Sequence, residues 1–113
     1  MQHRDYIIIK KVINEVEIGI EMLGDTELEE FLKDEKLKRA ISMTVINIGE
    51  LIKNITMETR KQYSNIPWKA IAGMRDITAH KYQTLRMEDV YMTVNKEFKD
   101  LEKKLKIILE DKN

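Results

Sequence analysis

The sequence predicts an all-α protein, an up-and-down helical bundle of four main helices plus a short helical segment. The 113 residues contain only four glycines and one proline, and so few helix-breaking residues favour long helices. Apolar residues recur every three or four positions over long stretches, which is the period of a helix buried along one face. No stretch alternates apolar and polar residues as a half-buried strand does.

Composition limits the class of protein. The length predicts one domain over residues 1–113, and 42% hydrophobic with 35% charged residues is typical of a folded globular chain. Twenty basic residues balance twenty acidic ones, so a nucleic-acid site would have to be a local patch. The absence of cysteine excludes disulfides, and two histidines offer no metal-binding spacing. We therefore expect no metal and no cofactor.

No apolar run is long enough to cross a bilayer, and the N-terminus lacks the pattern of a signal peptide. The predicted location is cytoplasmic.

The first main helix is predicted from Arg4 to about Leu23, where Gly24 begins a break. A turn or short helix over residues 27–32 follows. The stripe that would face the core steps by three and four residues along the first helix: Ile9, Ile13, Val16, Ile20 and Leu23.

The second main helix is predicted from Asp34, a candidate N-cap, to about Met57. Its apolar face is wide, so we expect it at the centre of the bundle. Gly49 lies inside it although glycine costs about 1 kcal/mol relative to alanine there, which predicts a closely packed neighbour. Glu50 beside it is expected to be a solvated carboxylate.

The third main helix is expected to begin in "YSNIPW", residues 63–68. Pro67 suits the first turn of a helix, and either Ser64 or Asn65 suits the cap. The fourth helix is predicted over residues 87–109 on a regular apolar stripe. Its lysines, at 99, 103, 104 and 106, are interleaved with acids and indicate a solvated face.

The third helix carries "RDITAHKY", residues 75–82. At about 100° per residue, Arg75 and His80 lie about 140° apart around an ideal helix and cannot touch. Asp76 and His80 share one face, and Arg75 and Tyr82 share a neighbouring one. Two such stripes suit the wall of a cleft.

These side chains fit the cleavage of RNA. Arg75 offers a permanent planar cation for phosphate, His80 can take or give a proton near neutral pH, and Asp76 can orient the imidazole. A two-fold dimer would bring two of each into one cleft. On spacing alone a structural role is more common, with Arg75 a surface cation and His80 satisfied by Asp76. His3, near the terminus, is expected to be exposed.

The residues resemble those of the HepT toxins, a branch of the HEPN superfamily. "RDITAHKY" matches their R-x4-H-x-Y signature, and "RDYIIIKKVI" is similar to their first helix. "FLKDEKLKRAISMTVINIGELIKNI" and "YSNIPWKAIAGMRDITAHKY" resemble their central helix and motif helix. Order and spacing agree over nearly the whole chain. The residue after the arginine, commonly asparagine in the family, is Asp76 here, and its charge would repel RNA somewhat.

The resemblance implies an all-helical homodimer and a metal-independent endoribonuclease centred on Arg75 and His80. It also implies a role as the toxin of a type VII toxin–antitoxin pair. The partner would be a minimal nucleotidyltransferase antitoxin of the MNT type, which transfers AMP to the motif tyrosine, here Tyr82. Asp76 would support His80.

A rival class is a non-catalytic helical subunit of a nucleotidyltransferase complex, in which the motif binds nucleotide or partner instead of cutting RNA. A helical dimer without a site is a third interpretation. Arg75 and His80 paired in a basic cleft would favour the nuclease.

Overall fold

The chain is helical in every regular element of the computed structural model, which describes residues 1–76 and 86–111, the side chains of residues 75 and 76 excepted. Four helices come first, α1 (His3–Leu23), α2 (Leu28–Lys33), α3 (Glu35–Ile52) and α4 (Met57–Gln62). Then follow α5 (Trp68–Ala72), a 3-10 segment (Gly73–Asp76), α6 (Met87–Met92), a π turn (Thr93–Glu97) and α7 (Phe98–Glu110). These residues include no strand, which confirms the predicted all-α class.

Helices α1, α3 and α7 form the centre of the bundle. Asn47 of α3 donates to Glu15 of α1 at 3.1 Å, and Lys106 of α7 pairs with Glu17 at 3.1 Å. Helix α3 also contacts α2, α5, α6 and the 3-10 segment. The prediction that the second main helix is central is therefore confirmed. Val12 of α1 is fully buried although it is not on the predicted stripe. The other buried apolar residues of these three helices come from the predicted stripes: Ile9, Ile13, Val16, Leu23, Ile41, Val45, Ile48, Ile52, Phe98, Leu101, Leu105 and Ile108.

Two helix ends follow the sequence signals. Helix α1 ends at Gly24, which has a positive φ of 49° and donates its N–H to the carbonyl of Ile20 at 2.9 Å. Glycine takes that backbone conformation without the steric cost that other residues incur. Asp34 caps α3 as predicted, because its carboxylate accepts from the N–H of Leu37 at 3.0 Å.

The end of the central helix was predicted wrongly. Helix α3 ends at Ile52, not near Met57, and a separate helix α4 follows. Arg60 of α4 binds carbonyls at this end. It donates to Lys53 at 3.3 Å and to Ile52 at 3.1 Å, and the Ile52 carbonyl also accepts from the N–H of Ile55 at 3.0 Å. A guanidinium satisfies acceptors that the last turn of a helix leaves unpaired, so the break is stabilised.

The third and fourth predicted helices differ in detail. Helix α5 begins after Pro67 without a side-chain cap, so neither Ser64 nor Asn65 caps it. At Gly73 the α-helix changes to a 3-10 helix, whereas the sequence predicted a continuous α-helix through Arg75. The fourth helix runs from Met87 to Glu110, but a π turn interrupts it.

Gly19 marks the closest approach between α1 and its neighbours. A Cβ atom placed there would lie 2.9 Å from the ring of Phe98 and 3.4 Å from Thr44 Cγ2. Phe98 is only 1% exposed, so its ring cannot move into solvent. We expect Gly19→Ala to lower the free energy of unfolding by about 1–3 kcal/mol through overpacking, despite the better helix propensity of alanine. Urea unfolding followed by circular dichroism measures it.

Gly73→Ala is the matched control, since no atom of residues 1–76 and 86–111 lies within 4 Å of a Cβ atom built at Gly73. That substitution should leave stability unchanged or raise it slightly. Equal stability of the Gly19→Ala and wild-type proteins would contradict close packing at this crossing.

Candidate functional site

The segment that leads into the motif is anchored by buried side chains. Trp68 is 5% exposed, and its indole N–H donates to the carbonyl of Tyr63 at 3.0 Å. Ile66 and Ile71 are also buried, and both α5 and the 3-10 segment pack against α3. The backbone of Arg75 is thereby held against the central helix.

The motif itself is described only at its start. Arg75 and Asp76 form the end of the 3-10 segment, and His80 and Tyr82 lie outside the described residues. A 3-10 helix turns 120° per residue instead of 100°, so the predicted angles between motif side chains do not apply at Arg75. The proposed pairs, Asp76 with His80 and Arg75 with Tyr82, stay predictions.

The residues outside the motif that the sequence analysis considered have ordinary structural roles or lie in solvent. Gly49 is buried, while Glu50 is exposed and pairs with Lys53 at 3.1 Å, as expected of a solvated carboxylate. His3 is exposed, as predicted. The lysine-rich face of α7 is solvated and interleaved with acids, with Lys104 bound to Asp100 at 3.0 Å.

A groove of about 660 Å³ lies between α1 and α3. Its floor is partly apolar, with Ile7 and Leu51, and Lys10, Lys11, Asn14, Glu15, Asn47 and Glu50 complete it. It shares no residue with the segment that leads to Arg75. The size of the groove is therefore not an argument for placing the chemistry there.

Asp5 is a buried acid that the sequence analysis did not single out. Its carboxylate is 0% exposed and accepts three hydrogen bonds. The Thr56 hydroxyl donates at 2.5 Å, the Thr59 hydroxyl at 2.7 Å and the Thr56 N–H at 3.2 Å. Thr56 also caps α4, so this cluster fixes the start of α1 to the start of α4. A signal existed in the sequence, because Asp5 lies four residues before Ile9 on the apolar stripe.

The ionised form of Asp5 is favoured on balance. Burial raises the pKa of the carboxyl group, but the hydrogen bonds from Thr56 and Thr59 and the nearby charge of Arg4 together lower the pKa below its ordinary value. The group is a structural anion in this part of the fold.

Two tyrosines outside the motif have engaged hydroxyl groups. Tyr91 is 8% exposed and donates to the carbonyl of Thr26 at 2.7 Å. Tyr63 donates to Asp111 at 2.9 Å; burial, followed by that hydrogen bond and the carboxylate charge, raises the pKa of Tyr63.

Within residues 1–76 and 86–111, no helix combines the length and apolar character needed to cross a bilayer.

Comparison with known proteins gives a consistent family. Residues 9–108 match the family model described as "Ribonuclease HepT-like". A Caldanaerobacter subterraneus protein named "Putative RNase TTE0752" is 38% identical over 90% of this chain and 91% of its own length. A Methanocaldococcus jannaschii "Putative RNase MJ0125" is 33% identical over 81% of this chain and 79% of its own.

A Thermococcus cleftensis protein named "Probable ribonuclease HepT" is 29% identical over 90% of this chain and 91% of its own length. No solved structure matches the chain significantly.

Proposed function

Since the chain belongs to the HepT-like ribonuclease family, we propose that it is a metal-independent endoribonuclease and the toxin of a type VII toxin–antitoxin pair. The observation that carries this proposal is the extent of the match, residues 9–108. That range contains both Arg75 and His80 and all the helices that would hold them.

The proposed reaction is transfer of the phosphodiester to the neighbouring 2'-hydroxyl. A base removes the 2'-hydroxyl proton, the 2'-oxygen attacks phosphorus, and the 5'-oxygen leaves after receiving a proton. Arg75 binds the phosphate oxygens where negative charge develops. His80 acts as base or acid, or positions the 2'-hydroxyl, and Asp76 orients its ring. A two-fold dimer supplies the second Arg75 and His80.

The assay is cleavage of a defined single-stranded RNA by purified protein in the presence of EDTA. Products ending in a 2',3'-cyclic phosphate with a 5'-hydroxyl on the other fragment are expected. Cleavage that stops with EDTA, or a 3'-hydroxyl end, would contradict the proposal. Protein that binds nucleotide or a nucleotidyltransferase without cutting RNA would instead establish the non-catalytic interpretation.

The proposed partner is an MNT-type nucleotidyltransferase that silences the nuclease by adenylylating Tyr82. AMP attached through a phosphodiester adds bulk and one negative charge, and that charge can pair with the arginines that RNA needs. Tyr82→Phe should therefore keep most of the nuclease activity but escape silencing by the partner and ATP. Residual cleavage after treatment measures the escape.

Mass spectrometry after the same treatment should find AMP on the peptide containing Tyr82. Tyr63 and Tyr91 serve as internal controls, because both lie outside the motif. If Tyr82→Phe is silenced as fully as wild type, occlusion of the cleft by the partner becomes the better explanation.

A further inference from the structure

A cavity of about 450 Å³ separates α5 and the 3-10 segment from the π turn and α7. Met74, which directly precedes Arg75, forms part of its wall. We propose that this flank cavity holds one nucleotide of the RNA strand beside the scissile phosphate, preferably one whose base carries an exocyclic amino group. The assignment rests on the proposed ribonuclease function and adds a subsite to it.

The interior of the flank cavity is apolar. Ile71, Phe98 and Leu101 form its base and are 4%, 1% and 9% exposed, and Pro67 and Met74 extend the apolar wall. Concave sites with apolar walls suit the flat face of a nucleobase, since stacking needs no particular base. The Met74 thioether also makes favourable contacts with aromatic rings.

The rim of the flank cavity is polar and carries both charges. Lys96, Asp100 and Lys104 all line the cavity. The Lys104 ammonium lies 3.0 Å from the Asp100 carboxylate, and Glu97 also lines the cavity. Lysines bind phosphate, whereas carboxylates only accept hydrogen bonds. A nucleotide can satisfy both kinds of side chain, because its phosphate binds lysine and an amino group on its base donates to a carboxylate. A bare phosphate satisfies only the lysines.

The π turn is the second observation that points to this cavity. Such turns are rare, occur mostly as single turns inside α-helices, and are frequent at functional sites. This one, over Thr93–Glu97, keeps Val94 at 1% exposure in the core. Lys96 and Glu97, from the same turn, line the flank cavity.

Proximity to the motif distinguishes the flank cavity from the groove between α1 and α3. The groove between α1 and α3 is larger, but its lining comes only from those two helices. Met74 lines the flank cavity and directly precedes Arg75, so the cavity lies beside the segment that carries the motif. A strand whose phosphate is bound by Arg75 can place a neighbouring nucleotide in the flank cavity.

The first test changes the RNA and leaves the protein intact. A single abasic nucleotide is moved stepwise along a substrate with one mapped cut site. We expect kcat/KM to fall about tenfold when it lies next to that site, because stacking of one base contributes about 1–3 kcal/mol. At that position uracil should be cut more slowly than bases with an amino group. The same kcat/KM at every position of the abasic nucleotide would overturn the assignment.

The second test fills the cavity. Ala70 is exposed at its edge, so Ala70→Phe should fold normally and block the base. We expect Ala70→Phe to cut intact and abasic substrates at nearly equal rates. Ser64→Phe is the matched control, because Ser64 is exposed and does not line the cavity; it should keep the tenfold difference. Loss of that difference in both variants would count against the flank cavity.

A binding experiment separates this inference from the nuclease itself. With ¹³C-methyl methionine in His80→Ala protein, a single-stranded oligonucleotide should shift the Met74 methyl signal and leave that of exposed Met57 unchanged. An unshifted Met74 in a protein whose wild type cuts RNA overturns the subsite and keeps the nuclease. A shifted Met74 in a protein whose wild type cuts nothing keeps the nucleotide site and rejects the nuclease.

Discussion

Arg75→Ala and His80→Ala are each expected to abolish measurable RNA cleavage. Loss of a positioned proton-transfer group costs about 10²–10⁴-fold in rate, and loss of a group that stabilises developing charge costs about 10²–10³-fold. Single-turnover cleavage of a labelled RNA in EDTA measures both. The effect should fall on the chemical step, so raising the RNA concentration will not restore the rate.

Lys69→Ala is the control for a general loss of positive charge. Lys69 is exposed on α5, a few residues before the motif, and its removal should change the rate only slightly. Circular dichroism and light scattering should show that all three variants keep the helical fold and the proposed dimer. Cleavage at the wild-type rate by either the Arg75 or the His80 variant would refute the assigned site.

Asp5→Ala is expected to produce a large loss of stability. It removes a fully buried carboxylate that accepts from Thr56 and Thr59. Hydrogen bonds to a charged group are worth about 1.5–3 kcal/mol each, and the abandoned donors must be desolvated. We expect a loss of about 3 kcal/mol in the free energy of unfolding, measured by urea titration at neutral pH.

Asp25→Ala provides a comparison, since Asp25 is exposed in the turn after α1. Exposed substitutions usually stay within about 0.5 kcal/mol. A similar loss in the free energy of unfolding for Asp5→Ala and Asp25→Ala would mean that the buried cluster does not contribute more to stability than an exposed residue.

The same carboxylate predicts how stability depends on pH. The pKa of Asp5 is lower in the folded state than its ordinary value, so its contribution is complete above the unfolded pKa of about 3.9. That contribution is lost as pH falls through the folded pKa. Asp5→Asn should therefore show a weaker fall of stability in acid than wild type. Parallel acid titrations would contradict a role for the ionised form.

The apolar stripes predicted the central helices because burial against neighbours requires a 3.6-residue period. The same reasoning failed at the end of α3. Ile55 continues the stripe beyond Ile52, yet the helix stops at Ile52. Thr56, which would continue the helix, instead caps α4 and binds Asp5, fifty-one residues away in sequence. A local pattern contains no information on such a contact.

The motif was found by its residue types and by resemblance, not by helix geometry. The predicted angles assumed an α-helix through Arg75, whereas the backbone there is 3-10. The tightening begins at Gly73, a residue that costs helix stability, so composition gave a weak local signal. The flank cavity was not predicted, because it joins Met74 to a π turn that apolar spacing does not reveal.

The pairing of α1 with α7 affects the protein while it is being made. Glu17 on the first helix meets Lys106 on the last, and Gly19 meets Phe98. A growing chain releases its N-terminal part first, so α1 leaves the ribosome long before the helix that covers one of its sides. Until then its apolar stripe is open to water or to chaperones. Assembly of the bundle must wait until α7 has also left the ribosome.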